Sequence, residues 1–370
     1  MVVVGAGPAG CTAAFHLCQQ GQWVLLIDQN PPGRSKPCGG GMAASVQRLF
    51  PFELSPAVDR VIRQVRFSWC LDDPVSAQLP GNAPFWICRR SRLDAFLAEQ
   101  AQAAGTQLCF NWQVKGIIRQ QGLWRIYSSG DDSVTARGLV LADGSGSRFA
   151  TELGLGPPQP RFASAISVEV DAPTPEPDTA RFEFGMVRHG FCWAFPREGG
   201  YSIGVGTFIG RQEVDADAVL AALLPSLGLP VDAGVRRREW LRIWNGHHPL
   251  HNEAAVVVGD AASLSDPFLA EGLRPSLISG FHAAESMAQW LTGDQAALGG
   301  YSRRMRQDWG ESMAWGKRIA QVFYRFPKVG YQLGVKRPTA PQRIAQILSG
   351  EMDYGDIAQR VIKRLLLRRS

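Results

Sequence analysis

At 370 residues, 45% of them hydrophobic, the chain is long enough to bury a large core and to form about two domains. Its seven cysteines include no CxxC pair, which excludes a disulfide framework and points to a reducing compartment. The formal net charge of +6 is uneven: residues 299–370 hold 15 Lys or Arg against 5 Asp or Glu, an excess of +10 that leaves the rest near −4 by subtraction.

Val2, Val3 and Val4 predict a buried strand that runs straight into Gly5-Ala6-Gly7-Pro8-Ala9-Gly10. Residues 11–20 then carry a helical pattern, and residues 23–27 form a second apolar strand closed by Asp28. Each piece has a job in holding a dinucleotide: Gly5 permits the tight turn, Gly7 lets backbone approach a pyrophosphate, and Gly10 lets helix and strand pack closely. The helix start offers unpaired N–H groups and partial positive charge to the phosphates. Asp28, with 17 residues between it and Gly10, is placed to accept hydrogen bonds from a ribose. Residues 1–27 contain no Asp, Glu, Lys or Arg, but the turn glycines, Gln19, Gln20, Gln22 and the missing basic leader argue against both a signal peptide and a membrane span. Because the strand starts on Met1, a chain a few residues longer at this end is the expectation.

Residues 30–41 are too rich in Gly and Pro for a regular element. Within them Cys38-Gly39-Gly40-Gly41 lets backbone lie flat against a planar ligand, and Cys38 reads as a proton relay, a flavin neighbour or a small filler. Residues 42–50 predict a helix, residues 63–69 a strand, and Arg90 stands just ahead of a helical run over 93–104, where it can pair with a pyrophosphate or form a salt bridge. Residues 106–114 and 116–127 are strand-like, and 138–142 form an apolar strand that stops at Asp143-Gly144-Ser145-Gly146-Ser147.

From Phe162 the texture changes to period-two alternation, predicting antiparallel strands over 163–170, 181–185, 191–195 and 201–208, with 197–200 as a hairpin turn. Gly204-Val205-Gly206 lies inside such a strand with no helix behind it and is not read as a nucleotide site. Residues 235–244 are another strand candidate. Pro249 forbids helical geometry between His247 and His251 and no acid completes the set, so no metal site is expected. The apolar strand 254–258 runs into Gly259-Asp260-Ala261-Ala262, and Asp266 to Leu273 precede a long helix over 274–291. The tail is helical with breaks at Pro327, Pro338 and Pro341; its last helix puts Ile357, Val361 and Leu365 on one face and Arg360, Lys363, Arg364, Arg368 and Arg369 on the other. That helix suits an anionic membrane interface or a stripe packed on the body. With few aromatics among the charges, nucleic acid is not expected.

These pieces predict an α/β chain: a discontinuous Rossmann-type domain over 1–150 and 250–296, an antiparallel β-sheet substrate domain over 151–249, and a helical basic C-terminal region over 297–370. The constellation resembles the FAD-dependent geranylgeranyl reductase family, within the aromatic-hydroxylase-like fold. Gly5 to Gly10 with Asp28, Leu141-Ala142-Asp143-Gly144 and Val258-Gly259-Asp260-Ala261 carry the broad match; Lys36 to Gly41 and Gly190-Phe191-Cys192-Trp193-Ala194-Phe195-Pro196 carry the narrow one. Phe191 replaces the family's usual Tyr, and Ala270 stands where Gly is common. The resemblance covers residues 1 to about 295. It implies FAD contacts at Ala9, Asp28, Cys38, Gly39, Gly41, Arg90, Val114, Asp260, Gly272 and Leu273, a prenyl-lipid substrate and reduction of its double bonds; with no second dinucleotide motif in the sequence, the expected electron donor is NADPH visiting the flavin site transiently, or a ferredoxin or similar protein. Cys38, Trp193 and Phe191 are then the expected catalytic residues, in a cytoplasmic protein with or without peripheral membrane contact. A flavin monooxygenase or a non-catalytic prenyl-lipid-binding flavoprotein is the alternative; a halogenase is disfavoured because no lysine lies between Lys36 and Lys115.

Overall fold

A computed structural model describes residues 1–82, 84–129, 132–208 and 215–367, with side chains described as far as residue 360. A five-stranded parallel sheet forms one layer, in the order Ala255–Val257, Leu139–Leu141, Val2–Val4, Leu25–Ile27, Gln107–Cys109. Every residue of the three strands Val2–Val4, Leu139–Leu141 and Ala255–Val257 is buried, as expected of a parallel sheet covered on both faces. Helix Pro8–Gln19 packs on Leu273–Leu291 closely enough that a Cβ on Gly280 would lie 2.4 Å from the Ala9 carbonyl. The chain thus returns to the parallel sheet at residue 255.

A seven-stranded sheet forms the other layer, in the order Arg237–Ile243, Arg161–Asp171, Gly200–Thr207, Gly190–Arg197, Thr179–Phe184, Gln64–Trp69, Asp72–Gln78. Residues 151–249 do not make this sheet alone. Two of its strands come from residues 64–78, and Gln64–Trp69 pairs in parallel with Thr179–Phe184 while the other pairs run antiparallel. All eight residues of Gly190–Arg197 are buried because both faces are covered. Cys192 and Ala194 pack under helix Ala216–Ser226, with Leu220, Leu223 and Leu224, while Phe191, Trp193 and Phe195 face the other way, into the main core.

Several expected elements differ. Residues 42–50 form the short strand Gly41–Ala43 and a 3-10 turn, because Gly41–Ala43 is drawn into a small sheet with Phe85–Ile87 and Arg60–Ile62. Residues 116–127 fold back at Gln121-Gly122 into the hairpin Gly116–Gln120 and Leu123–Tyr127. Pro341 stands in the first turn of helix Ala340–Ser349, where its missing N–H is no loss, and so starts a helix rather than breaking one.

The C-terminal helices are bolted to the body by phenols. Tyr301 donates to the Val257 carbonyl, Tyr324 to that of Phe268, Tyr331 to that of Asp73, and Tyr354 to Asp266 Oδ2, and all four rings are fully buried. In the last helix, Tyr354–Leu367, Ile357 packs against the core and Arg360 is exposed; Val361, Lys363, Arg364 and Leu365 lie beyond the described side chains, and Arg368 and Arg369 beyond the described residues. No helix among the described residues is long and apolar enough to cross a membrane.

Candidate active site

A cavity of about 510 Å³ opens at the carboxyl ends of the parallel strands and runs under the seven-stranded sheet. That is where an open α/β sheet binds ligands, and the volume is that of a small-molecule site. Gly5, Gly7, Ala9, Asp28, Cys38, Gly39, Gly41, Arg90, Val114, Asp260, Gly272, Leu273, Phe191 and Trp193 all line it. Gly10 does not; it packs helix on strand, its absent Cβ leaving room for the Gly5 carbonyl 1.9 Å away.

At one end, Gly5 has φ +106°, and a Cβ there would collide with the Ala142 carbonyl at 2.2 Å. The Asp28 carboxylate is occupied at both oxygens: Oδ2 accepts from the Ala6 N–H at 2.7 Å and Oδ1 from the Asn30 N–H at 2.8 Å. It therefore clamps the glycine turn as well as facing the cavity. Arg90 opens helix Arg90–Ala103 instead of preceding it, and its Nε and Nη2 are held by Asp94 at 2.8 and 2.7 Å, so a pyrophosphate would share this guanidinium with a buried carboxylate.

At the other end, the loop 38–41 is pressed against the sheet. A Cβ on Gly39 would stand 3.1 Å from the Phe195 ring and 3.3 Å from Trp193 Nε1, and Ser202 Oγ donates to the Cys38 carbonyl at 3.2 Å. Gly40 turns at φ +75° with its α-carbon against the Cys88 carbonyl. Cys38 is half-buried and free, its Sγ accepting from the Gly40 N–H at 3.3 Å. The Trp193 indole lies across Gly204, its cross-strand partner, and beside Gly206; these glycines make room for an aromatic ring, which is why they carry no nucleotide motif. Phe191 packs on Phe182, Phe184 and Phe208 at centroid distances of 5.6, 5.8 and 5.1 Å.

Charge gathers along the floor. Lys36 Nζ lies 3.6 Å from Asp260 and 3.9 Å from Glu239, and Ser265 donates to Asp260 at 2.9 Å. Arg242, from the seven-stranded sheet, donates to the carbonyls of Ser145, Ser147 and Ala261 and so ties that sheet to two turns of the parallel one. Burial pushes the Asp143 carboxyl up to about 6 against the pull of Ser147, and its buried Oδ1 has no hydrogen-bond partner. Burial likewise pushes Glu271 up to about 7, although Arg274 stands 2.7 Å away and pulls it down; its side chain is 8% exposed and Oε1 is unpartnered. Asp143, Glu271 and Lys36 lie inside the sequence motifs but were not expected as site residues. Arg242, and Leu348, which the C-terminal helix Ala340–Ser349 brings to the cavity wall, have no local signal.

The histidine cluster disperses. His247 meets Trp244 edge-on, His248 bonds Asn245 and His251 bonds Ser302. Among the described residues no group of three His, Cys, Asp or Glu is placed to hold a metal ion.

A family model described as FAD dependent oxidoreductase matches residues 83–290, and one described as FAD binding domain matches residues 1–56. A protein named digeranylgeranylglycerophospholipid reductase 2, from Methanothermobacter thermautotrophicus, is 28% identical over 335 residues, spanning 85% of this chain and 84% of its own. The structure of a geranylgeranyl bacteriochlorophyll reductase-like protein from Thermoplasma acidophilum superposes with a TM-score of 0.84 at 20% identity, covering 98% of both chains. A flavin-dependent brominase superposes at 0.73 and 18% identity, covering 99% of this chain and 98% of its own. These two likenesses show the fold, and two chemistries share it.

Proposed function

Since the chain belongs to the FAD dependent oxidoreductase family, with FAD as its cofactor, we propose that it saturates carbon–carbon double bonds of a geranylgeranyl or related prenyl chain. The observation that carries this reading is the aromatic arm of the cavity: Phe182, Phe191, Trp193, Phe195 and Phe208 line it beside the loop 38–41, with a free cysteine at their edge. The relatives named as reductases of geranylgeranyl lipids support the same substrate class.

The residues fit FAD. Gly7 presents no side chain to the cavity and nothing of the protein lies within 4 Å of where its Cβ would be, and the buried Asp143 Oδ1 and Trp193 Nε1 lack partners on the cavity wall. Gly5, Gly7 and Ala9 with the start of helix Pro8–Gln19 would hold the pyrophosphate, Asp28 and Val114 the adenosine side, and Cys38, Gly39, Gly41, Asp260, Gly272 and Leu273 the flavin side. When bound and reduced, FAD supplies a hydride.

An isolated trisubstituted alkene has no carbonyl to accept charge, so its reduction needs a proton at the partner carbon and shelter for the cation that protonation creates. Glu271, whose carboxyl burial pushes up to about 7, can carry a proton at the cavity wall, and Cys38 lines the same cavity from the loop 38–41. The aromatic faces stabilise positive charge and exclude water. Helix Leu273–Leu291 presents its positive end at Gly272, where negative charge is favoured. NADPH or a ferredoxin is the proposed source of electrons.

Mass spectrometry of prenyl lipids after anaerobic incubation with the reduced enzyme tests the reading: products heavier by two hydrogens per double bond are expected. Oxygen uptake coupled to a hydroxylated or halogenated product would replace it with the monooxygenase or halogenase chemistry of the same fold.

A further inference from the structure

Helices Glu311–Arg325 and Pro327–Gly334 meet at Phe326 and present two unlike faces. Phe323, Tyr324, Tyr331 and Val335 are buried against the body, whereas Val322, Phe326, Val329 and Leu333 are 70%, 61%, 55% and 53% exposed. Val329 and Leu333, four residues apart, share one face of the second helix, Val322 stands in the last turn of the first, and Phe326 is at the bend that joins them. Isolated surface apolar residues are ordinary, but four large ones exposed within twelve positions of one helix–bend–helix segment mark an interaction surface.

The charge around the stripe selects the partner. Residues 312–350 contain seven Lys or Arg and no Asp or Glu. Arg318, Arg325, Lys328, Lys336 and Arg337 are exposed beside the stripe, and Lys336 is paired with Asp73. A second copy of this chain would bring the same positive charge against itself. An anionic bilayer offers what both halves require, acyl chains for the apolar row and negative headgroups for the rim.

We propose that the stripe Val322, Phe326, Val329 and Leu333 seats the protein on an anionic lipid bilayer. The surface differs from the terminal helix that the sequence pattern singles out. It also has a direct relation to the site: on the inner side of the same helix Tyr324 packs on Phe208, which lines the cavity, so the aromatic arm lies one helix thickness from the lipid. The proposal stands apart from the substrate reading, since vesicle binding involves no redox step and each can fail alone.

The test is co-sedimentation of the flavin-loaded, full-length protein with phosphatidylglycerol–phosphatidylcholine vesicles and with phosphatidylcholine vesicles. The parent is expected to bind the first mixture more tightly, and more weakly as salt is raised. Phe326→Glu with Val329→Glu should lower partitioning at least about tenfold, because burying one such side chain corresponds to roughly a tenfold factor or more. Arg325→Glu with Lys328→Glu should remove the preference for anionic vesicles, and unchanged flavin absorbance and melting temperature show that each variant is folded. The proposal is overturned if the Phe326/Val329 variant binds like the parent, or if Arg360→Glu with Lys363→Glu and Arg364→Glu abolishes binding while the stripe variants retain it. It is overturned equally if light scattering shows a dimeric parent that the stripe variant splits.

Discussion

Cys38 and Glu271 both line the cavity, and their proposed parts in alkene reduction are separable. Cys38→Ala should slow alkene reduction at least about tenfold and leave flavin affinity within about twofold, because among the described residues the sulfur accepts from the Gly40 N–H alone while the loop is held by its packing on Trp193 and Phe195; stopped-flow reduction and flavin titration check the pair. Equal losses in both would make the cysteine structural. Glu271→Gln should cost about 10²-fold or more in rate, the usual range for a general acid, and should abolish the fall in rate expected as pH rises through about 7. The sign follows from burial: the folded-state pKa lies above the ordinary 4.5, so the protonated form and the stability linked to it are fully present below 4.5 and are lost as pH rises through about 7. Ala270 is the other informative residue. It lies at φ +57°, a left-handed position that suits glycine, the residue common at this place in the family the chain resembles. Ala270→Gly should stabilise the fold by up to about 1 kcal/mol in chemical denaturation, since an L-residue there carries about 1–2 kcal/mol of strain offset in part by the entropy glycine loses on folding.

At the scale of elements, the phenol bolts make the C-terminal helices part of the catalytic body. Tyr354 is one of three donors to the fully buried Asp266, the others being the N–H groups of Phe268 and Leu269. Tyr354→Phe should therefore destabilise the protein by about 1–3 kcal/mol, the range for stranding one partner of a buried polar group, as read from urea midpoints. The sequence was legible where a local period or a glycine turn decides the structure: the first strand, its turn and helix, the alternating strands from Phe162, and the long helix before Leu291 were all readable. It was illegible where a distant segment decides. Met42 and Ala43 look helical until Phe85–Ile87 recruits them into a sheet, and Leu348 has no reason to be a cavity residue until four buried tyrosines dock its helices. Asp28 and Arg90 were visible as site residues, but not their protein partners, because Ala6, Asn30 and Asp94 compete for the same atoms only once the backbone is folded.

For the whole molecule, the Rossmann-type layer and the antiparallel layer could be recognised separately, while the way they are joined could not. Arg242 crosses from one to the other to reach three carbonyls, and nothing about residues 237–243 announces this. The pairing of Gln64–Trp69 with Thr179–Phe184 goes further, because it knits together segments more than a hundred positions apart. Residues 151–249 are therefore not expected to fold as an autonomous unit. A fragment of residues 151–249 made by itself would bare the whole hydrogen-bonding border of Thr179–Phe184 and clump with its own copies, and the intact chain should melt in one cooperative step by calorimetry instead of two. Assembly of the sheet must wait until the later strand has been synthesised, so this one ladder makes the protein a late folder whose nascent first third depends on the remainder for completion.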